Sequence, residues 1–121
     1  MPQFSEVRDL IPLQPHLFEI LLCLDRAPMH GYRIIGDICE RTDGGIELST
    51  STLYGGIRRL LRDGLVEDAG NRSDEGSGGP PRRYYCITER GRSVARLEAE
   101  RVQRVAQVAA RQLLRHDAGL D

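Results

Sequence analysis

The sequence has no lysine, no tryptophan and almost no net charge. All 17 basic residues are arginine, and 18 acidic residues oppose them, for a formal balance of −1. Near-neutrality argues against a polybasic protein that coats nucleic acid or clings to a membrane surface. Two Phe and four Tyr are the whole aromatic stock of the 121 residues, so the core must be aliphatic, built on Leu, Ile and Val. Long hydrophobic runs are missing too. The longest stretches without a charge, 10–18 and 48–57, hold nine and ten residues, whereas a membrane-spanning helix needs about twenty apolar ones. The first ten residues lack the basic start and apolar stretch of a signal peptide, so a cytoplasmic protein with no membrane partner is expected. Cys23, Cys39 and Cys86 are an odd count with no CxxC pair, which argues against a disulfide framework.

What is present is enough for one small core, since 40% of the residues are apolar and the length is that of one domain. After the prolines at 2, 12 and 15, Leu17, Ile20, Leu21 and Leu24 recur at helical spacing. Pro15 suits a first helical position, and Pro28 ends this helix. Ahead of it, a short helix over 5–11 is compatible with Ser5 as cap. A second helix is predicted over 31–41 with the stripe Ile34, Ile35 and Ile38, broken by Asp43-Gly-Gly45. A third starts in the hydroxyl-rich run Ser49-Thr-Ser-Thr52. Its buried stripe is Leu53, Ile57, Leu60 and Leu61, and Gly64 takes the position after its end.

Residues 65–68 and 82–88 read as two short strands. Tyr85 and Ile87 share one face and Tyr84 and Cys86 the other. Between them, residues 69–81 contain four Gly, two Pro and two Ser, a composition expected to form a mobile loop outside any core. Thr88 caps a last helix that runs to about His116, ~28 residues or roughly 40 Å. Its apolar positions include Val94, Leu97, Val102, Val105, Ala109 and Leu113. That length exceeds what a small core covers, and Val102, Val105, Ala109 and Leu113 are expected to pack on a second subunit. The expected class is mainly α with a small β-hairpin: a winged helix-turn-helix over 16–88, an N-terminal extension over 1–15, and a dimerisation helix with its tail over 89–121.

Four segments occur in order: Met29-His-Gly-Tyr-Arg-Ile-Ile35, Ser51-Thr-Leu-Tyr54, Arg58-Arg-Leu-Leu-Arg-Asp-Gly-Leu65 and Arg83-Tyr-Tyr-Cys-Ile-Thr-Glu-Arg-Gly91. This set resembles the PadR family of bacterial transcriptional regulators, in the family's order and spacing, from about Leu17 into the last helix. The single last helix resembles the shorter PadR subfamily. The resemblance implies a homodimer that binds double-stranded DNA at a pseudo-palindromic operator, acting as a repressor released by a small-molecule effector. Ser51 and Gly55 stand where the family often has Gly and Pro. Short members bind flat aromatic drugs between tryptophans, a mode that this tryptophan-free chain does not carry over.

The residues point to DNA on their own account. A recognition helix needs short hydroxyls and backbone N–H groups at its N-terminus to meet phosphates and bases, and Ser49, Thr50, Ser51 and Thr52 supply the hydroxyls. Tyr54, one residue past the core-directed Leu53, is expected to lean out toward the groove. Arg58 lies four residues further on the same face and suits guanine or phosphate. Gly55 and Gly56 weaken a helix by about 1 kcal/mol each relative to Ala, which suggests a close backbone approach by the duplex or by the second helix. Tyr32 matches the family tyrosine and is a phosphate or packing residue. On the wing, Arg82 and Arg83 are better fixed than Arg72, whose tip also carries Asp74 and Glu75.

The charge is segregated. Residues 1–49 carry four Arg and eight acids, residues 50–96 nine Arg and six acids, and residues 97–121 four of each. The positive segment holds the recognition helix and wing, so the acidic part is expected to face away from DNA. Two further readings compete: a winged-helix module that binds protein, and a thiol- or metal-responsive regulator. The spacings Cys23–Cys39 and His16–His30 match no standard zinc pattern. Cys23 and Cys39 read as small core residues, and His30 as a structural hydrogen-bonding residue. No Ser/His/Asp set, phosphate loop or paired-carboxylate pocket stands out, so no enzyme activity, cofactor or metal is expected. An inducer would sit in the cleft between 17–24 and the last helix.

Overall fold

The computed structural model describes residues 6–73 and 79–115. Four helices and a three-stranded antiparallel sheet follow a 3-10 turn over Val7–Leu10. They are α1 (Pro15–Arg26), β1 (Met29–His30), α2 (Gly31–Arg41), α3 (Thr50–Arg62), β2 (Val66–Arg72), β3 (Arg82–Ile87) and α4 (Glu89–Ala109), the last continued by a π-helical turn over Ala110–Leu114. The helices pack around Ile20, Leu21, Ile34, Ile38, Leu53, Ile57, Leu60 and Val94, all essentially sealed from solvent. This is the aliphatic core that the composition requires.

The helix ends are where the sequence places them. Pro15 opens α1, and Ser49 caps α3, its hydroxyl accepting from the Thr52 amide at 3.1 Å. At the far end of α3, Gly64 takes a positive φ of 75°, and the Leu65 amide reaches back to the Leu60 carbonyl at 2.9 Å, which satisfies an otherwise orphaned acceptor. Thr88 caps α4 by accepting from Gly91 N at 2.9 Å and ties it to the turn after α3 by donating to Gly64 O at 2.7 Å.

The sheet corrects the hairpin in two ways. A third strand, β1, pairs with β3 through Met29 opposite Tyr85 and His30 opposite Tyr84, making β3 the central strand. It is too short to carry an alternation pattern. In addition β2 runs to Arg72, past the expected start of the loop at Ala69, with a bulge between Asp68 and Gly70 where Gly70 takes a φ of +91°. Backbone pairing across the ladder holds these polar residues in a strand that their side chains do not announce. The centre of the expected loop, residues 74–78, lies outside the described residues, as do Ser5 and His116.

Two further expectations are corrected. Leu61 is 37% exposed, because eight residues of helix carry it about 80° around the axis from Leu53. Gly56 faces α1 rather than α2 or a duplex: a Cβ there would sit 3.2 Å from His16, Leu17 and Ile20 atoms.

Candidate nucleic-acid interface

Ser49, Thr50, Ser51 and Thr52 are all exposed at the start of α3. Ser49 both accepts from the Thr52 amide and donates to the Thr52 hydroxyl at 3.0 Å. The amides of Thr50 and Ser51 precede any acceptor within the helix, so this end presents N–H donors and a positive dipole to whatever approaches. Arg58 is exposed two turns on, and Gly55 beside it leaves open space, its nearest neighbour being the Arg58 guanidinium 3.8 Å from where a Cβ would stand. Arg62 lies 3.7 Å from Asp63. Arg59 flanks the half-buried His16, whose pKa falls below its ordinary value through burial first and the Arg59 charge second.

Tyr54 does not lean outward as expected. Its ring is half-buried against α2, and a Cβ at Gly31 would lie 2.3 Å from the Tyr54 hydroxyl and 2.9 Å from Leu53 Cδ2. The missing side chain of Gly31 leaves a ring-sized gap, and filling it removes aromatic surface from water. Tyr54 still borders a concavity of 320 Å³ lined by His30, Gly31, Tyr32, Pro80, Arg82 and Arg83. The start of α2, Tyr54 of α3 and Pro80, Arg82 and Arg83 of the hairpin therefore meet at one place.

Around that concavity the aromatic and cationic groups are stacked. Tyr32 is 60% exposed, and the Arg82 guanidinium lies over its ring, 5.1 Å from the centroid. Arg72 lies over Tyr84 at the same distance. Tyr84 in turn meets His30 edge-to-face at 5.4 Å, while His30 Nδ1 caps α2 by accepting from the Arg33 amide at 3.2 Å. Arg83 forms an ion pair with Asp68 across the hairpin. The Gly70 amide, then Arg83, hold the Asp68 carboxyl below the usual carboxylate range. Arg83 is thus committed within the wing, whereas Arg82 is stacked toward α2.

Several acids of the first segment are matched by arginines. Asp37 pairs with Arg26 at 3.2 Å, Glu19 with Arg41, and Asp25 with Arg92 at 3.1 Å. Cys23 is sealed beneath this cluster. Its thiol donates to Asp37 at 3.2 Å and accepts from Arg41 at 3.2 Å. Burial, then the Asp37 hydrogen bond, push it up to about 12, so the reactive thiolate is suppressed. Cys86 is also raised, by burial and by Glu67. Among the described residues no three His, Cys, Asp or Glu cluster as metal ligands would.

The residues expected to dimerise all lie on the far part of α4 and its π-helical continuation. Val102, Val105 and Leu113 are exposed and Ala109 is half-buried. Val108 and Leu114, which the spacing did not single out, are exposed beside them. A 510 Å³ groove runs along Arg104, Val105, Val108, Ala109, Gln112 and Leu113. Between α1 and α4 a second hollow of 260 Å³ is lined by Leu22, Asp25, Arg92, Ala95, Arg96 and Ala99. No helix among the described residues is long and apolar enough to cross a membrane.

Comparison with known proteins agrees with this arrangement. The Transcriptional regulator PadR-like family matches residues 20–97. A PadR family transcription regulator from hypervirulent Clostridium difficile R20291 superposes with a TM-score of 0.70 at 23% identity, covering 83% of this chain and 99% of that one. A transcriptional regulator from Clostridium thermocellum gives 0.68 at 23%, covering 88% and 93%. A PadR-like transcription factor from Bacteroides fragilis gives 0.61 at 28%, covering 86% and 96%. Comparison with curated proteins gives no match.

Proposed function

This chain belongs to the PadR-like family of transcriptional regulators, and from that premise we propose that it is a cytoplasmic, dimeric repressor of a pseudo-palindromic operator. The observation that carries the reading is the shared concavity. Tyr54 of α3 stands beside Tyr32 and the wing arginines Arg82 and Arg83, and the hydroxyls of Ser49, Thr50, Ser51 and Thr52 are exposed at the start of the same helix, which together supply donors for a phosphate backbone and side chains for base edges. Ser49, Thr50, Ser51, Thr52 and Arg58 enter the major groove. Arg82 and Arg83 work from the wing, on the backbone or in the minor groove. Val102, Val105, Ala109 and Leu113 join two copies, whose recognition helices then meet successive major grooves. An effector takes the hollow between α1 and α4, where binding would change how the last helix sits on the DNA-reading part.

Purified protein titrated on its own upstream DNA in competition with random duplex tests this. A preference for the upstream fragment, with affinity that falls steeply with salt through counterion release, is the expected result. Equal affinity for both duplexes at moderate salt would overturn the specific-regulator reading. Salt-insensitive capture of a protein partner instead would favour the protein-binding module that the near-neutral charge permits.

A further inference from the structure

The wing carries an unfavourable feature that the structure resolves. Arg72 and Arg82 are direct cross-strand partners, forming the last paired rung before the tip. Like charges facing each other across a ladder repel. Here each guanidinium is drawn onto a different ring: Arg72 reaches diagonally to Tyr84 on the neighbouring strand, and Arg82 turns to Tyr32 at the start of α2. Arginine over the face of tyrosine is attracted by the ring quadrupole. Tyr84 is itself braced by the His30 ring, and His30 is fixed as the cap of α2.

We propose that Tyr32 is a positioning residue for the wing: its ring holds the Arg82 guanidinium apart from Arg72, so that two cations stand in set places on the last rung of the wing before DNA arrives. The proposal rests on the DNA-binding reading and adds to it a division of labour. Tyr32 acts through its ring rather than through a hydroxyl contact to phosphate. Preorganising a long arginine side chain removes part of the ordering cost that binding otherwise carries. The same stack ties the wing to the second helix, because Tyr32 belongs to α2 and Arg82 to β3.

The test compares Tyr32→Leu, Tyr32→Phe, Arg82→Gln and the double variant Tyr32→Leu/Arg82→Gln on the upstream fragment over a range of salt. Tyr32→Leu and Arg82→Gln are each expected to weaken binding about fivefold and to lower the salt slope by about one. Tyr32→Phe, which keeps the ring, recovers most of the affinity that Tyr32→Leu loses. The double variant is no weaker than Arg82→Gln alone, since both act on one contact. Equal loss in Tyr32→Phe and Tyr32→Leu would assign the role to the hydroxyl and overturn the proposal, as would additive losses in the double variant. A DNA-free readout covers a variant that fails to fold: in the wild-type protein the Arg82 side-chain NMR signals should be shifted by the ring current, and their absence would also overturn it. A wild-type protein that does not prefer its upstream fragment, with the ring-current shift present, would instead count against the DNA-binding reading.

Discussion

Along α4 the burial changes character at Glu98. Up to it, Gly91, Val94 and Glu98 itself are buried, and the helix packs on α1 and on the turn over Val7–Leu10. Beyond it, Val102, Val105, Val108, Leu113 and Leu114 stand in solvent. Both stretches are helical and both carry apolar residues at helical spacing, so periodicity alone gives them the same reading. The difference is what lies opposite. The first stretch completes the core of the helices and sheet before it. Among the described residues nothing covers the second, although burying each Val or Leu would contribute about 1.5–3 kcal/mol. One half of the helix thus belongs to the core of the chain, and the other is the half that the proposed dimer would cover. Substitutions on either side of Glu98 should therefore separate folding from assembly.

The largest effect is expected at Gly91. A Cβ there would lie 2.1 Å from the Leu65 carbonyl oxygen and 2.8 Å from Ile87 Cγ1, and backbone cannot step aside as a flexible side chain can. Gly91→Ala should cost about 3 kcal/mol or more, read as a lower denaturation midpoint. Ala106→Val, on the exposed half, should cost only about 0.5 kcal/mol through helix propensity. Equal losses at the two positions would erase the comparison. Next comes assembly. Val105→Glu with Leu113→Glu is expected to weaken dimerisation roughly a hundredfold or more, because burying unpaired carboxylates is strongly unfavourable. Far-ultraviolet circular dichroism of the monomer should be unchanged. Sedimentation at micromolar concentration decides it, and a dimer that persists would place the subunit contact elsewhere.

Much of this is legible in the sequence alone. Stripes at 3.6-residue spacing locate the four helices, and the caps Ser49 and Thr88 and the stop at Gly64 mark ends of the last two, because these signals are local. What escaped depends on distant partners. β1 is two residues long and exists only because β3 lies beside it. Tyr54 turns inward because Gly31, on another helix, lacks a side chain. Leu61 misses the core by its angle around the axis. The ion pairs of Asp37, Glu19 and Asp25 reach across elements, so charge counting found the segregated acids but not their partners. Of the candidate interface, the exposed hydroxyls could be read directly. The stacking of Arg82 on Tyr32 could not, since 50 residues of chain separate the two.

Glu98 was hidden for a different reason. It follows Val94 by four residues, at a position where the stripe calls for an apolar side chain, yet it is a carboxylate only 2% exposed. Its Oε1 accepts from the Leu13 amide at 3.3 Å, and Arg101, one turn on, donates twice, at 3.0 and 2.6 Å. The Arg101 hydrogen bonds, and then that of Leu13, hold the Glu98 carboxyl below its ordinary value against the opposing effect of burial. Glu98 thus pins the N-terminal segment to the boundary between the two halves of α4. Glu98→Ala should cost about 2 kcal/mol, mainly by leaving the Leu13 N–H without its acceptor. The sign of the pH effect follows from the lowered value. A carboxyl whose folded pKa lies below the unfolded one stabilises fully above the unfolded pKa and loses that contribution as pH falls through the folded one. The wild-type protein should therefore lose stability below about pH 4, and Glu98→Gln, which keeps an acceptor but cannot titrate, should lose less over the same range. Denaturant midpoints at pH 7 and pH 3 measure it, and parallel losses in the two proteins would show that Glu98 does not carry the acid sensitivity. Dimerisation measured alongside sharpens the division of α4. If the boundary lies at this residue, Glu98→Gln should shift the unfolding midpoint while leaving subunit affinity nearly unchanged.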